Sequence, residues 1–221
     1  MLEDASAGMV YPVCFISNIR KLYIDMDTDD RAEIEQILGY HFFEKQHLIR
    51  ALTHPAYAHE LLQQKTLFMD QVAYSTLGDA VLKTGLILFL MEKGVQTKGG
   101  ITQEKEQLED NITLAKVARR LRLKKFIRLG HGEKGLWRDG EDTILADTLE
   151  ALIAAIFLDS DAGFGVVKQC IGSWFEPELK RVKKETGKKK PVKGTVSHSL
   201  SSSRRGAPKG KKSGSLRSWK G

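Results

Sequence analysis

The chain has 221 residues, 41% hydrophobic and 29% charged, enough for one or two globular domains with a sizeable core. No apolar run approaches the ~20 residues of a membrane span, and residues 1–10 lack the basic-then-apolar order of a signal peptide, so neither is expected. The net charge of +7 is unevenly divided: residues 180–221 hold 15 Lys and Arg against one acid, whereas residues 1–179 hold 20 against 27.

Residues 1–28 are weakly patterned, with Ile19, Leu22 and Tyr23 at helical spacing; Cys14 and Cys170 show neither disulfide nor metal-ligand spacing, which predicts reduced thiols in a cytoplasmic protein. A helix is expected from Asp30, where Glu33 completes a capping box, Ile34, Ile37 and Leu38 share a face, and Gly39 is the stop. A short helix follows over 46–52 and ends before Pro55. The pattern over 68–91 predicts a long helix that becomes apolar all round after Leu77, and Gly94, Gly99 and Gly100 mark a loop. Next come an acid-rich polar helix over 101–110 and an amphipathic one over 112–123 with a basic end. The glycine-containing stretch 131–140 reads as a surface loop. Residues 143–158 form the most apolar helix, polar only at Thr143, Asp147, Thr148 and Glu150, which predicts a central position. The last helix is expected over 164–179. No strand alternation appears, so the body is predicted to be all-α, with an extension over 1–28, a helical domain over 29–179 and a disordered basic tail over 180–221.

Two segments carry the chemistry: Leu77-Gly78-Asp79-Ala80-Val81-Leu82, and Ile144 through Ala151 with Asp147 and Glu150. A carboxylate away from water is costly, so acids inside an apolar helix imply a cation beside them. Asp147 and Glu150, three apart, share a helical face, and Asp79 could add a third oxygen donor from a second helix. Hard divalent cations prefer such ligands, and a pair of them can activate water for phosphodiester hydrolysis. Plainer explanations exist. Asp147 and Glu150 lie opposite the centre of the apolar stripe, as solvent-facing acids would, although Ala151, Ala154 and Leu158 share that side. Asp79 has Lys83 four residues on, the favourable order for an intrahelical ion pair. His41, His47, His54, His59 and His131 have no ligand spacing and read as capping, packing or surface residues.

Read in order, several segments resemble the ribonuclease III family: Leu38-Gly39-Tyr40 with Phe42, Leu52 to Tyr57, Leu77 to Leu82, Asn111 to Ala115, Leu129 to Glu133, and Ile144 to Ser160. The resemblance covers about residues 32–179. It implies an all-helical nuclease domain, usually a homodimer, that cuts double-stranded RNA with Mg2+, or Mn2+ in its place, leaving 5′-phosphate and 3′-hydroxyl ends. It also assigns the catalytic and metal-holding acids to Asp79, Asp147 and Glu150. The family pattern has glutamates seven and four residues before the aspartate, where this chain has Val72 and Ser75. The position of Ser75 usually supplies a fourth carboxylate; a serine reaches a cation there only through a water. Lys83 adds a positive charge, and both changes reduce metal affinity on simple electrostatics.

Many family members continue into a double-stranded RNA-binding domain, whereas here the basic tail follows. Lys188, Lys189, Lys190, Arg204, Arg205, Lys209, Lys211 and Lys212 are the expected phosphate contacts, with a solubilising extension as the alternative. Three functions are thus open. One is an Mg2+-dependent endoribonuclease on structured RNA such as ribosomal RNA precursors, weakened by the missing carboxylate. Another is a catalytically silent RNA-binding or ribosome-assembly protein. The third is a helical dimerisation module whose tail contacts nucleic acid or acidic proteins.

Overall fold

Helix α1, Thr28–Leu38, starts where Asp27 accepts the Asp29 N–H at 3.2 Å, three residues ahead of the expected cap. It ends at Gly39, whose φ of 70° is the left-handed conformation that only a residue without Cβ adopts freely. This computed structural model describes residues 27–63, 68–130 and 137–186. The N-terminal segment to residue 26 and the tail from residue 187 lie outside the described residues.

Lys45–Ala51 forms α2, and Pro55–Gln63 forms α3, a helix the sequence did not announce. Pro55 closes off the preceding element but also suits a first helical turn, where its missing N–H is not needed. Helix α4 spans Val72–Glu92 and begins later than 68 because residues 68–70 are tied elsewhere. There the Asp70 carboxylate caps the Val72 N–H at 3.0 Å, and its carbonyl accepts Arg50 Nε at 3.0 Å. Helix α5, Lys98–Leu108, takes Gly99 and Gly100 into its first turn rather than leaving them as loop, since Thr97 caps the Gly100 N–H at 3.1 Å. Helix α6, Asn111–Arg120, stops short of 123 because Arg122 turns left-handed, with φ 54°, before a 3-10 turn over Leu123–Lys125.

The central helix α7, Trp137–Asp159, begins before 143, so part of the expected glycine loop is helical; residues 131–136 lie outside the described residues. Its Leu145, Leu149, Leu152, Ile153 and Ile156 are fully buried, each contributing about 1.5–3 kcal/mol. Helix α4 lies along it most extensively, α6 and α2 flank it, and α8, Phe164–Thr186, packs chiefly on α4. Helix α8 passes through Pro177 and runs beyond 179, because Leu179 and Val182 continue its buried face. Lys183 and Lys184 in its last turn suit the negative end of the helix dipole. The C-terminal end of α7 is tied down too. Asp159 accepts the Tyr40 hydroxyl at 2.7 Å and the backbone N–H groups of Phe43 and Glu44 at 2.9 and 2.7 Å.

Among the described residues the fold is all-α, and the extended pairing is one isolated bridge, Thr53 with Arg128. Contrary to the sequence expectation, α4 is long and apolar enough, by length and composition alone, to cross a membrane. It is, however, the principal packing partner of α7, and it carries Asp79 and Lys83.

Candidate functional site

Helices α4 and α7 cross backbone against backbone at one point. A Cβ on Gly78 would stand 1.8 Å from the Glu150 carbonyl oxygen and 2.4 Å from its carbon, so only glycine allows the approach. The crossing sets Asp79, the next residue on α4, beside Glu150, while Asp147 lies one turn earlier on α7.

The electrostatics carry the same proximity. Burial, then the negative charges of Asp79 and Asp147, raise the Glu150 carboxyl to about 7, with Lys83 acting in the opposite sense. Asp147 is also raised by burial, partly offset by His54. Asp79 is half-exposed and paired with Lys83, Nζ to Oδ2 at 2.7 Å, as its spacing predicted. Yet among the described residues no three His, Cys, Asp or Glu side chains stand close enough to hold a metal ion as they lie. The three acids are neighbours rather than a preformed cage. Their chemistry fits a hard divalent cation nonetheless: the donors are all carboxylate oxygens, and their negative charge exceeds what one ammonium neutralises.

At the two positions where the family pattern has glutamates, the structure offers no charge. The Ser75 hydroxyl donates to the Val72 carbonyl at 3.0 Å, inside its own helix. The Val72 side chain is exposed.

A buried polar link supports the site and was missed by the sequence reading. Thr148, fully buried between Asp147 and Glu150, has its hydroxyl 3.2 Å from Gln71 Oε1 and 2.8 Å from the Ile144 carbonyl. The Gln71 N–H donates to the Thr53 carbonyl at 3.0 Å. The start of α4, the segment before α3 and the acid-bearing turn of α7 are thereby joined. The available signal was a threonine between two acids on an otherwise apolar helix, and it does not identify Gln71.

His54, His47 and His41 each have a polar partner, and His54 is also near enough to Asp147 for its charge to act on that carboxyl. His54 Nδ1 accepts the Ala56 N–H at 3.3 Å, His47 Nδ1 lies 2.7 Å from the Tyr74 hydroxyl, and His41 Nδ1 lies 2.6 Å from Glu35. His131 and the proposed RNA contacts from Lys188 to Lys212 lie outside the described residues.

Residues 44–179 match the family described as Ribonuclease-III-like. Ribonuclease 3 of Natranaerobius thermophilus is 34% identical over 154 residues, covering 69% of this chain and 64% of that protein. Ribonuclease 3 of Idiomarina loihiensis is 32% identical over 161 residues, covering 72% and 66%. The chain thus spans somewhat under two thirds of the length of the curated relatives it matches. Among solved structures, the nuclease domain of Ribonuclease III from Campylobacter jejuni is similar at 30% identity with a TM-score of 0.58, covering 69% of this chain and 97% of that one. A second structure of that domain, described by flexibility in a region involved in dimer formation, gives 31% and 0.57, covering 66% and 95%.

Proposed function

This chain belongs to the Ribonuclease-III-like family, and from that premise we propose that it is a divalent-cation-dependent endoribonuclease cutting double-stranded or structured RNA. The observation that supports the proposal is the Gly78–Glu150 contact, which brings the turn of Asp79 against the turn of Glu150, with Lys83 paired to Asp79. Mg2+, or Mn2+ in its place, would be held by those three carboxylates. When bound, it supplies positive charge at the scissile phosphate and a more acidic water.

The protein side of the work is positional. The tight α4–α7 crossing fixes the two acid-bearing turns against each other, and Thr148 with Gln71 holds the α7 turn from behind. Ser75 brings no charge, so the site is weaker toward a divalent cation than a four-carboxylate one. Ribosomal RNA precursors are a fitting substrate class, and the basic residues from Lys188 to Lys212 would hold RNA phosphates. A homodimer fits α4, more than half of whose most apolar window is unburied, with Val72, Ala73, Thr76, Ala80, Thr84 and Leu88 exposed. A cytoplasmic setting fits Cys170, a buried thiol pushed up to about 11 by burial.

The test is incubation of the purified chain with duplex RNA in Mg2+ or in EDTA. Cleavage is expected with Mg2+ only, and Asp147→Asn or Glu150→Gln should abolish it without unfolding the protein. Absence of cleavage at any Mg2+ or Mn2+ concentration would favour a second reading, a catalytically silent RNA-binding protein. Val72, Ser75 and Lys83 are the residues that support that reading.

A further inference from the structure

We infer that Lys83 is the second cation of the three-acid site, which therefore takes a single divalent ion beside a lysine ammonium. The inference rests on the reading of Asp79, Asp147 and Glu150 as metal-holding acids, and it assigns Lys83 a part in the site rather than a surface pairing.

Ser75, Asp79 and Lys83 follow one another at intervals of four on α4, so Lys83 and Ser75 flank Asp79 one turn to either side. Helical side chains lean toward the N-terminus, which carries the lysine stem back over the turn that holds Asp79. The ammonium meets Asp79 Oδ2 at 2.7 Å, and the negative charges of both Glu150 and Glu109 act on it. Glu109 is already held by Lys105 at 2.6 Å, so the strongest partner of Lys83 is Asp79, within the site.

Charge then distinguishes a decorative pair from a component. Three carboxylates and one ammonium sum to a formal −2, the charge of one divalent cation. A carboxylate at position 75 with a neutral residue at 83 would instead sum to −4, matching two. The two departures at 75 and 83 act in the same direction and together change the balance by one divalent ion. An ammonium cannot acidify water as a divalent ion does, but its three donors can neutralise a phosphate oxygen in the transition state.

Mn2+ is the probe, measured by equilibrium dialysis against the full chain, with cleavage of a duplex RNA followed in parallel. The wild type should bind one Mn2+ per chain. Lys83→Met should bind it about thirtyfold more tightly, because the repulsion between a unit charge and a neighbouring divalent ion has gone. Its cleavage at saturating Mn2+ should nevertheless fall by roughly a hundredfold, with Lys83→Arg recovering part of the loss. The double variant Ser75→Glu, Lys83→Met should bind two ions. Two Mn2+ in the wild type, undiminished cleavage by Lys83→Met, or one ion in the double variant would each overturn the role of Lys83 while leaving the three acids standing. No Mn2+ bound to the wild type would overturn the three-acid reading itself, and Lys83 with it. If the wild type binds one ion but does not cleave, the stoichiometry of the double variant decides.

Discussion

A methyl group at residue 78 would meet backbone, whereas one at residue 85 would meet the Cδ1 tip of Ile171 at 2.4 Å. The two glycines lie two turns apart on α4, yet their substitution should differ sharply. Gly78→Ala forces the crossing open and should cost about 3 kcal/mol or more, as severe overpacking does. Gly85→Ala asks only a flexible chain end to move and gains about 0.8–1.0 kcal/mol of helix propensity, so it should stay within about 1 kcal/mol of wild type. Urea unfolding of both variants checks the contrast, and equal losses would mean that the crossing is not as tight as described. Glu150 supplies a second residue-scale expectation. Its carboxyl is raised from 4.5 to about 7, so the folded state binds its proton more tightly than the unfolded state does. The stability this group gives is full below 4.5 and is lost as pH rises through 7. In EDTA, thermal stability should therefore decline between pH 5 and 8 more in the wild type than in Glu150→Gln. Mg2+ at pH 8 should restore it in the wild type alone, since an ion that binds only the folded state stabilises it. Parallel pH profiles in the two proteins would show that Glu150 is not loaded in this way.

Ser75, on α4 one turn before Asp79, is where element geometry makes the metal reading quantitative. Ser75→Glu adds a carboxylate on the face that carries Asp79 and should lower the Mg2+ concentration needed for half-maximal cleavage by about tenfold, with Lys83 near enough for the two positions to be non-additive. An unchanged Mg2+ requirement would remove Ser75 from the account of the weakened site. The helices that bear the acids were legible because Asp79, Asp147 and Glu150 interrupt runs that are otherwise apolar, and the Asp79–Lys83 pair was legible from its spacing. The crossing was not: Gly78 is visible in the sequence, but that it packs on the Glu150 carbonyl depends on a contact between residues 72 apart in the chain. Helix α3 was missed because Pro55 was read as a stop and not also as a first turn. The end of α8 was placed early because Lys180, Arg181, Lys183 and Lys184 read as tail by composition, although Leu179 and Val182 keep the buried face at a spacing of three. Composition and periodicity compete at such a boundary, and burial decided for periodicity.

At the scale of the whole molecule, association and RNA affinity depend on surfaces that the core leaves open. The exposed side of α4 predicts a dimer, and light scattering at micromolar concentration should give twice the 24.8 kDa chain mass; a monomer there would count against it. RNA binding poses a charge problem, because residues 1–179 carry a net −7 and would by themselves repel a polyanion at long range. The compensating charge lies mainly beyond α8. Since that helix continues to Thr186, a truncation meant to spare the body should begin at residue 187, and it removes eleven Lys and Arg and no acid. Each phosphate neutralised releases condensed counterion, so if about four of these residues meet phosphates, the slope of log affinity against log salt should flatten by about 3.6. The truncated protein should also bind duplex RNA more weakly at every low salt concentration, with the difference closing as salt rises. Cleavage at saturating RNA should survive, because Asp79, Asp147 and Glu150 all lie on α4 and α7 and none of them is removed. Binding isotherms of the full chain and of residues 1–186 at several salt concentrations separate the two roles. Equal affinities with equal slopes would make the tail a solubilising extension, and an RNA grip would then have to come from the acidic body alone, against its own charge.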